Sequence, residues 1–231
     1  MSHLLSRRAA VARLGLGLGL GLPLLASSTF ASPASPQDGV DYVTLAQPQP
    51  VQAAGKKVEV IEFFMYHCPV CNALEPGFEQ WVRKQGERIA LRRVHFPLTG
   101  PADPEARLYL TLEALGRLGD MHAKVFRAIH VERIRLNRDE AIIDWATRNG
   151  IERKAFLEAW NSFGVTMKLR QLGKIVAAYK VDSAPALVID GRWMTSPSVV
   201  NAGFKTRDRK ALFQATLQVA DALVDKAMKA R

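Results

Sequence analysis

The stretch VEVIEFFMYHCPVC, residues 58–71, decides the reading of this chain. Its first eight residues, Val58 to Met65, form a nearly continuous β-branched and aromatic run, the pattern of a strand buried on both faces. Two cysteines, Cys68 and Cys71, follow at once. From Cys68 to Gly86 the apolar residues Leu74, Phe78, Trp81 and Val82 fall on one helical stripe, with Pro76 inserting a kink. Ala90 to Phe96 (ALRRVHF) then reads as a second strand. The outcome is a β-α-β unit whose cysteine pair sits at the C-terminal end of the first strand, where open α/β sheets collect their chemistry.

Downstream, residues 103–180 show helical periodicity in pieces such as Met121–His130 and Asp139–Arg148. Breaks are predicted near Gly119-Asp120, across Arg135–Arg138 and at Gly150. Then come a strand ALVID at Ala186–Asp190, an Asp190-Gly191 turn, a second strand at Arg192–Thr195 and a final amphipathic helix from about Thr206 to Lys229. The fold class is therefore α/β. A βαβ half (58–99) and a ββα half (181–231) share one sheet, separated in sequence by an all-helical insertion (100–180).

Upstream, residues 32–57 carry Pro33, Pro36, Pro48 and Pro50, which forbid a long helix and predict an extended lead-in. Residues 1–31 read as an export signal: Arg7, Arg8 and Arg13, then an apolar stretch from Leu14 to Leu25, then small residues with cleavage possible after Ser28, Ala31 or Ala34. That stretch, loosened by glycines and Pro23, falls well short of the ~20 residues that span a bilayer. The adjacent arginines suit the twin-arginine route, but Ala10 stands where a bulky apolar residue is usual, so the ordinary secretory route stays open. Either route leads to the periplasm, an oxidising compartment in which two cysteines cycle through a disulfide.

With 48% hydrophobic and 23% charged residues the chain is globular rather than disordered. Of its net charge of +10, three charges lie in residues 1–31 and +7 stays on the remainder. Those cations are mixed with acids and form no dense stripe, so nucleic acid is not an expected partner.

Cys-x-x-Cys between a buried strand and a helix start brings both sulfurs together while the first sits at the helix N-terminus. There the unpaired N–H groups and the helix dipole stabilise a thiolate, making Cys68 the nucleophile and Cys71 the buried resolving thiol. Pro69 suits the first helical position, with φ already set and no N–H to waste; it either reinforces the helix start that supports Cys68 or simply initiates the helix. A zinc site would have to recruit histidines such as His67, His95, His122 or His130, none in paired ligand spacing, so no metal is expected. A purely structural disulfide closing so small a loop would constrain the unfolded chain little.

Pro185 opens the strand ALVID after Ala184, and taken alone it reads as an ordinary trans proline. Glu62 lies inside a buried strand, where an acid is costly unless protonated, paired or wet. It either exchanges protons with Cys71 or is simply neutralised by the strand edge or a basic neighbour. His67 reads first as a rim residue, and when protonated it would stabilise the neighbouring thiolate.

These segments resemble the DsbA family of periplasmic thiol:disulfide interchange proteins. The resemblance is carried by QDGVDYVTL, VIEFFMYHCPVC, the helical insertion, SAPALVIDGRW and the following TSPS, over roughly residues 37–231. It implies a thioredoxin-like fold with an inserted all-helical domain, a Cys68–Cys71 redox pair with no further cofactor, Pro185 in cis and Glu62 as the buried acid near the disulfide. It also implies unfolded or partly folded exported proteins as clients, a membrane quinone-linked oxidase of the DsbB type as recycling partner, and a monomer. The chain departs from the family's commonest pattern twice: Val70 stands between the cysteines in place of His, and Ala184 precedes the proline in place of Val. Two other readings remain, a reductase or isomerase for a narrower set of clients and a non-enzymatic client-binding module. The first is separated by its equilibrium with glutathione, the second by whether function survives loss of Cys68.

Overall fold

The run VEVIEFF becomes β2 (Val58–Phe64), every residue of which is buried, in a computed structural model that describes residues 35–231. The predicted export signal and its cleavage positions lie outside the described residues. Ahead of β2 the lead-in contributes a short edge strand, β1 (Val43–Thr44). Helix α1 (Pro69–Gln85) follows the cysteines, with Pro76 inside it, and β3 (Ile89–His95) runs parallel to β2. Five helices then precede the second half: α2 (Pro104–Ala114), α3 (Leu118–His130), α4 (Asp139–Arg148), α5 (Arg153–Trp160) and α6 (Phe163–Ala178). The chain returns through β4 (Ala186–Ile189), β5 (Trp193–Thr195), α7 (Pro197–Phe204) and α8 (Arg209–Lys229). Strand order is β1-β5-β4-β2-β3, with β4 antiparallel to both β2 and β5.

Alternation along β2 divides the core. Val58 and Val60 pack with Leu74, Phe78 and Trp81 of α1 and with Val219, Leu223 and Val224 of α8. Ile61 and Phe63 face the inserted helices, among them Leu108, Leu112, Phe156 and Leu172. Because side chains alternate along a strand, Glu62 falls on the face of Val58 and Val60, beneath α1.

Three local features differ from the sequence reading. The break placed at Gly119-Asp120 lies instead at 115–117, where Gly116 takes a left-handed φ of +65° and ends α2. Asp120 sits in the first turn of α3, where an acid suits the positive helix end, and pairs with Arg117. The last helix starts at Arg209 rather than Thr206, because the Asp208 carboxylate caps it by accepting from the N–H groups of Lys210 and Ala211. Helix α7 was not anticipated; Ser196 caps it and Pro197 opens it, inside the TSPS segment.

The hairpin between β4 and β5 turns on Asp190 and Gly191, both left-handed. Position 191 also meets the lead-in: a Cβ there would lie 2.2 Å from the Gln49 carbonyl oxygen, so only glycine lets the two backbones approach. Among the described residues no helix is long and apolar enough to cross a membrane.

Candidate active site

Cys68 is the N-cap of α1, with extended backbone, and its Sγ accepts the Cys71 backbone N–H at 3.3 Å. Pro69 occupies the first helical position, where its missing N–H costs nothing. Both thiols are free, and both cysteines are buried, Cys71 more completely (2% exposed against 7%). A hydrogen bond from the Cys71 thiol and the backbone N–H groups of Cys71 and Val70 outweigh desolvation and lower the Cys68 pKa to about 6. The same shared hydrogen bond, with burial, pushes the Cys71 thiol far up. One sulfur is thus held as a thiolate at neutral pH and the other as a thiol.

The Ala184–Pro185 peptide bond is cis, and the Ala184 carbonyl lies 3.5 Å from Cys68 Sγ, close enough to accept from the thiol when it is protonated. Val70 points outward, 37% exposed, onto an open cleft of about 520 Å³ bordered by Pro197, Asn201, Leu212 and Phe213.

Glu62 is wholly buried on a central strand, so the strand edge cannot solvate it; its partner is the basic neighbour Arg93, whose Nε donates to Glu62 Oε2 at 2.7 Å. These two residues are opposite each other in the parallel β2/β3 register. Arg93 also donates to Glu75 and Glu79 of α1, so one guanidinium serves three carboxylates. Burial, reinforced by Glu75, raises Glu62 to about 7 against the opposing pull of Arg93. Glu75 rises to about 7 as well, chiefly through burial. Glu62 in turn helps to raise the Cys71 thiol. His122 stands beside this cluster, 3.3 Å from Glu75 Oε1, with Nδ1 2.9 Å from the Tyr66 hydroxyl. Burial lowers its pKa to about 4.

The loop before the nucleophile is held on three sides. The Tyr66 N–H donates to His95 Nε2 at 3.2 Å, and His130 Nε2 lies 2.7 Å from the Tyr66 carbonyl oxygen. His67, half exposed at the rim, makes two contacts with one oxygen of Glu105: the ring Nδ1 at 2.6 Å and the backbone N–H at 3.1 Å.

Of the residues singled out in the sequence, Cys68, Pro69, Val70, Cys71, His67, Ala184 and Pro185 converge on one end of the sheet, and Glu62 lies beneath α1. Sequence reasoning missed Arg93, Glu75 and Glu105, and weighed His122 only as a metal ligand. The first had a usable signal: arginines inside the buried strand ALRRVHF raise the same cost as Glu62 in its neighbour, and a parallel register pairs them. The other three depend on helix packing that spacing does not reveal. Among the described residues no group of three or more His, Cys, Asp or Glu could hold a metal.

A family profile described as a DSBA-like thioredoxin domain matches residues 59–203. The thiol:disulfide interchange protein DsbA of Burkholderia cepacia is 37% identical over 179 residues, covering 78% of this chain and 84% of the relative. That of Azotobacter vinelandii is 34% identical over 211 residues, covering 90% and 94%. The crystal structure of Pseudomonas aeruginosa DsbA superposes with a TM-score of 0.73 at 31% identity, covering 83% of this chain and 94% of that one. A cysteine pair at the head of α1, a cis-proline opposite it and five helices spliced into the sheet thus come with sequence likeness over most of the chain, which belongs to the DsbA-like family of thioredoxin-fold proteins.

Proposed function

We propose that this chain is a thiol–disulfide oxidoreductase that donates a Cys68–Cys71 disulfide to unfolded or partly folded exported proteins. The observation that carries this reading is the asymmetry of the two sulfurs: Cys68 lowered to about 6 at a helix N-terminus, Cys71 buried and raised. A client thiolate attacks Cys68 Sγ, the S–S bond breaks, and its electron pair goes to Cys71, which takes a proton and becomes a thiol. A second client thiolate then attacks the client sulfur of the mixed disulfide, and Cys68 departs as a thiolate. The client is oxidised by two electrons and the protein reduced by the same two. Each stabilising contact to the Cys68 thiolate therefore favours release of the disulfide.

The redox pair is the whole catalytic apparatus on this reading, with no added cofactor. Residues 58–99 and 181–231 form the catalytic unit, with 100–180 as the helical insertion. Residues 1–31 direct export to the periplasm, where a quinone-linked membrane oxidase of the DsbB type reoxidises the monomeric protein. The cleft at Val70 offers client chains apolar surface beside the reactive sulfur.

Equilibration with glutathione tests the direction of transfer. A potential more oxidising than about −200 mV is expected; a value near −270 mV, where thioredoxin lies, would favour the reductase reading instead. Val70→His tests the position between the cysteines. A side chain that can donate a hydrogen bond or carry charge should lower the Cys68 pKa further and make the couple more oxidising. Thiolate absorbance against pH measures this, and an unchanged or raised pKa would refute it.

A further inference from the structure

Val70 leaves the segment between the cysteines without a charge, yet the charged side chain that lowers Cys68 through space is close at hand: it is His67, the residue before it. The ring of His67 is not free to swing. One oxygen of Glu105 takes its Nδ1–H at 2.6 Å and its backbone N–H at 3.1 Å, fixing the imidazole against its own main chain. Glu105 lies in the first turn of α2, whose positive end suits a carboxylate, and is itself 8% exposed. A short hydrogen bond to a buried carboxylate favours the doubly protonated imidazole.

The other groups facing His67 act in the same sense or are silent. Asp103, the cap of α2, adds a second negative charge. His95 of β3 has its Nε2 4.0 Å from the same Glu105 oxygen, but burial lowers its pKa to about 3 and it accepts the Tyr66 N–H, so it stays neutral. Cys68 of α1, as a thiolate, adds a third negative neighbour.

We propose that Glu105 is a positioning residue that holds His67 as an imidazolium beside Cys68, and that this pair supplies, from the residue before the nucleophile, the positive charge that Val70 cannot supply between the cysteines. The His67 pKa is raised above its ordinary 6.5, first by the Glu105 hydrogen bond, while that of Cys68 is lowered to about 6. Between those two values the site holds a thiolate and an imidazolium together. Below that window the thiolate takes a proton; above it the imidazolium loses one.

The test uses the full processed chain and reads two quantities, the Cys68 thiolate absorbance against pH and the glutathione equilibrium. His67→Gln is expected to raise the Cys68 pKa and to shift the equilibrium toward the retained disulfide by about three- to tenfold, half to one pKa unit. Glu105→Gln keeps the size of the side chain and is expected to move both in the same direction by less, and to lower the His67 pKa followed by NMR. His67→Lys, which restores a cation, should recover much of the loss. If Glu105 acts through His67, Glu105→Gln added to His67→Gln changes nothing further. A Cys68 titration unmoved by His67→Gln, or an equal effect of Glu105→Gln in both backgrounds, overturns the proposal. The inference rests on Cys68 being the transferring sulfur. That reading is judged by disulfide transfer from the wild-type chain and this one by the variants' titrations, so either can fail alone.

Discussion

Cys68→Ser is expected to bring disulfide transfer to a reduced two-cysteine peptide down to the uncatalysed rate, a loss on the order of 10³-fold or more. Cys71→Ser loses turnover as completely, but by a different route. In that variant Cys68 keeps the backbone N–H of residue 71, and a serine hydroxyl can replace the thiol as donor, so the thiolate persists. At pH 7 a thiol with a pKa of about 6 is roughly nine-tenths ionised, against about 3% for an ordinary cysteine. Cys71→Ser should therefore be alkylated rapidly at pH 6–7 and should trap a mixed disulfide with oxidised glutathione that nothing resolves. Cys71→Ala keeps that backbone N–H but removes the side-chain donor, and should raise the Cys68 pKa, slowing alkylation at pH 6. Mass spectrometry of the trapped adducts and alkylation rates against pH check each part. Transfer surviving Cys68→Ser would mean that the sulfur at the helix start is not the one exchanged, and a client-binding module would then be the better reading.

What was legible in the sequence follows from how local each feature is. The β2–α1–β3 unit and the position of the cysteines were readable because a buried strand, a helix-starting proline and an amphipathic stripe are all written within about 40 residues. The β4–β5 hairpin was readable from Asp190-Gly191, a pair that accepts the left-handed backbone this turn adopts. Helix α7 was hidden because its eight residues show too little periodicity, although Ser196-Pro197 is a usable start signal. Glu62 was visible as a cost, but the group that offsets it was not, since Arg93 meets Glu62 through strand pairing and Glu75 through helix packing. The bond between His67 and Glu105 spans 38 positions and depends on where α2 docks; no spacing rule reaches that far.

Arg93→Met is expected to destabilise the oxidised protein by about 3–5 kcal/mol at pH 8, because it leaves Glu62 and Glu75 buried without their counter-charge. At pH 5 the loss should be much smaller, since both carboxyls can then take up protons. The wild-type protein already leans this way. Glu62 is raised from 4.5 to about 7 in the folded state, so the native protein binds that proton more tightly than the unfolded chain does, and the contribution of Glu62 to stability falls as pH rises from about 4.5 through 7. Removing the guanidinium, which opposes the rise, extends the falling window to higher pH. In the reduced protein Cys68 runs in the opposite sense: its pKa is depressed, so its contribution is fully present above the unfolded value and is lost as pH falls through about 6. Working with the disulfide form removes that titration, and comparing variant with wild type at each pH cancels most of what the buried His95 and His122, lowered to about 3 and about 4, contribute. Urea unfolding at the two pH values, with Glu62→Leu added to Arg93→Met, separates charge from packing: the double variant should recover most of the loss. Arg93 also lies over the Phe78 ring, 5.7 Å from its centroid, and an equal loss at pH 5 and pH 8 would place its contribution there instead. The same titration reaches the redox site, because Glu62 helps to raise the Cys71 thiol, so removing its charge should ease ionisation of Cys71. The buried acid therefore opposes stability at neutral pH while helping to keep the resolving sulfur protonated, which sets the folded state and the redox pair in tension over a single carboxyl.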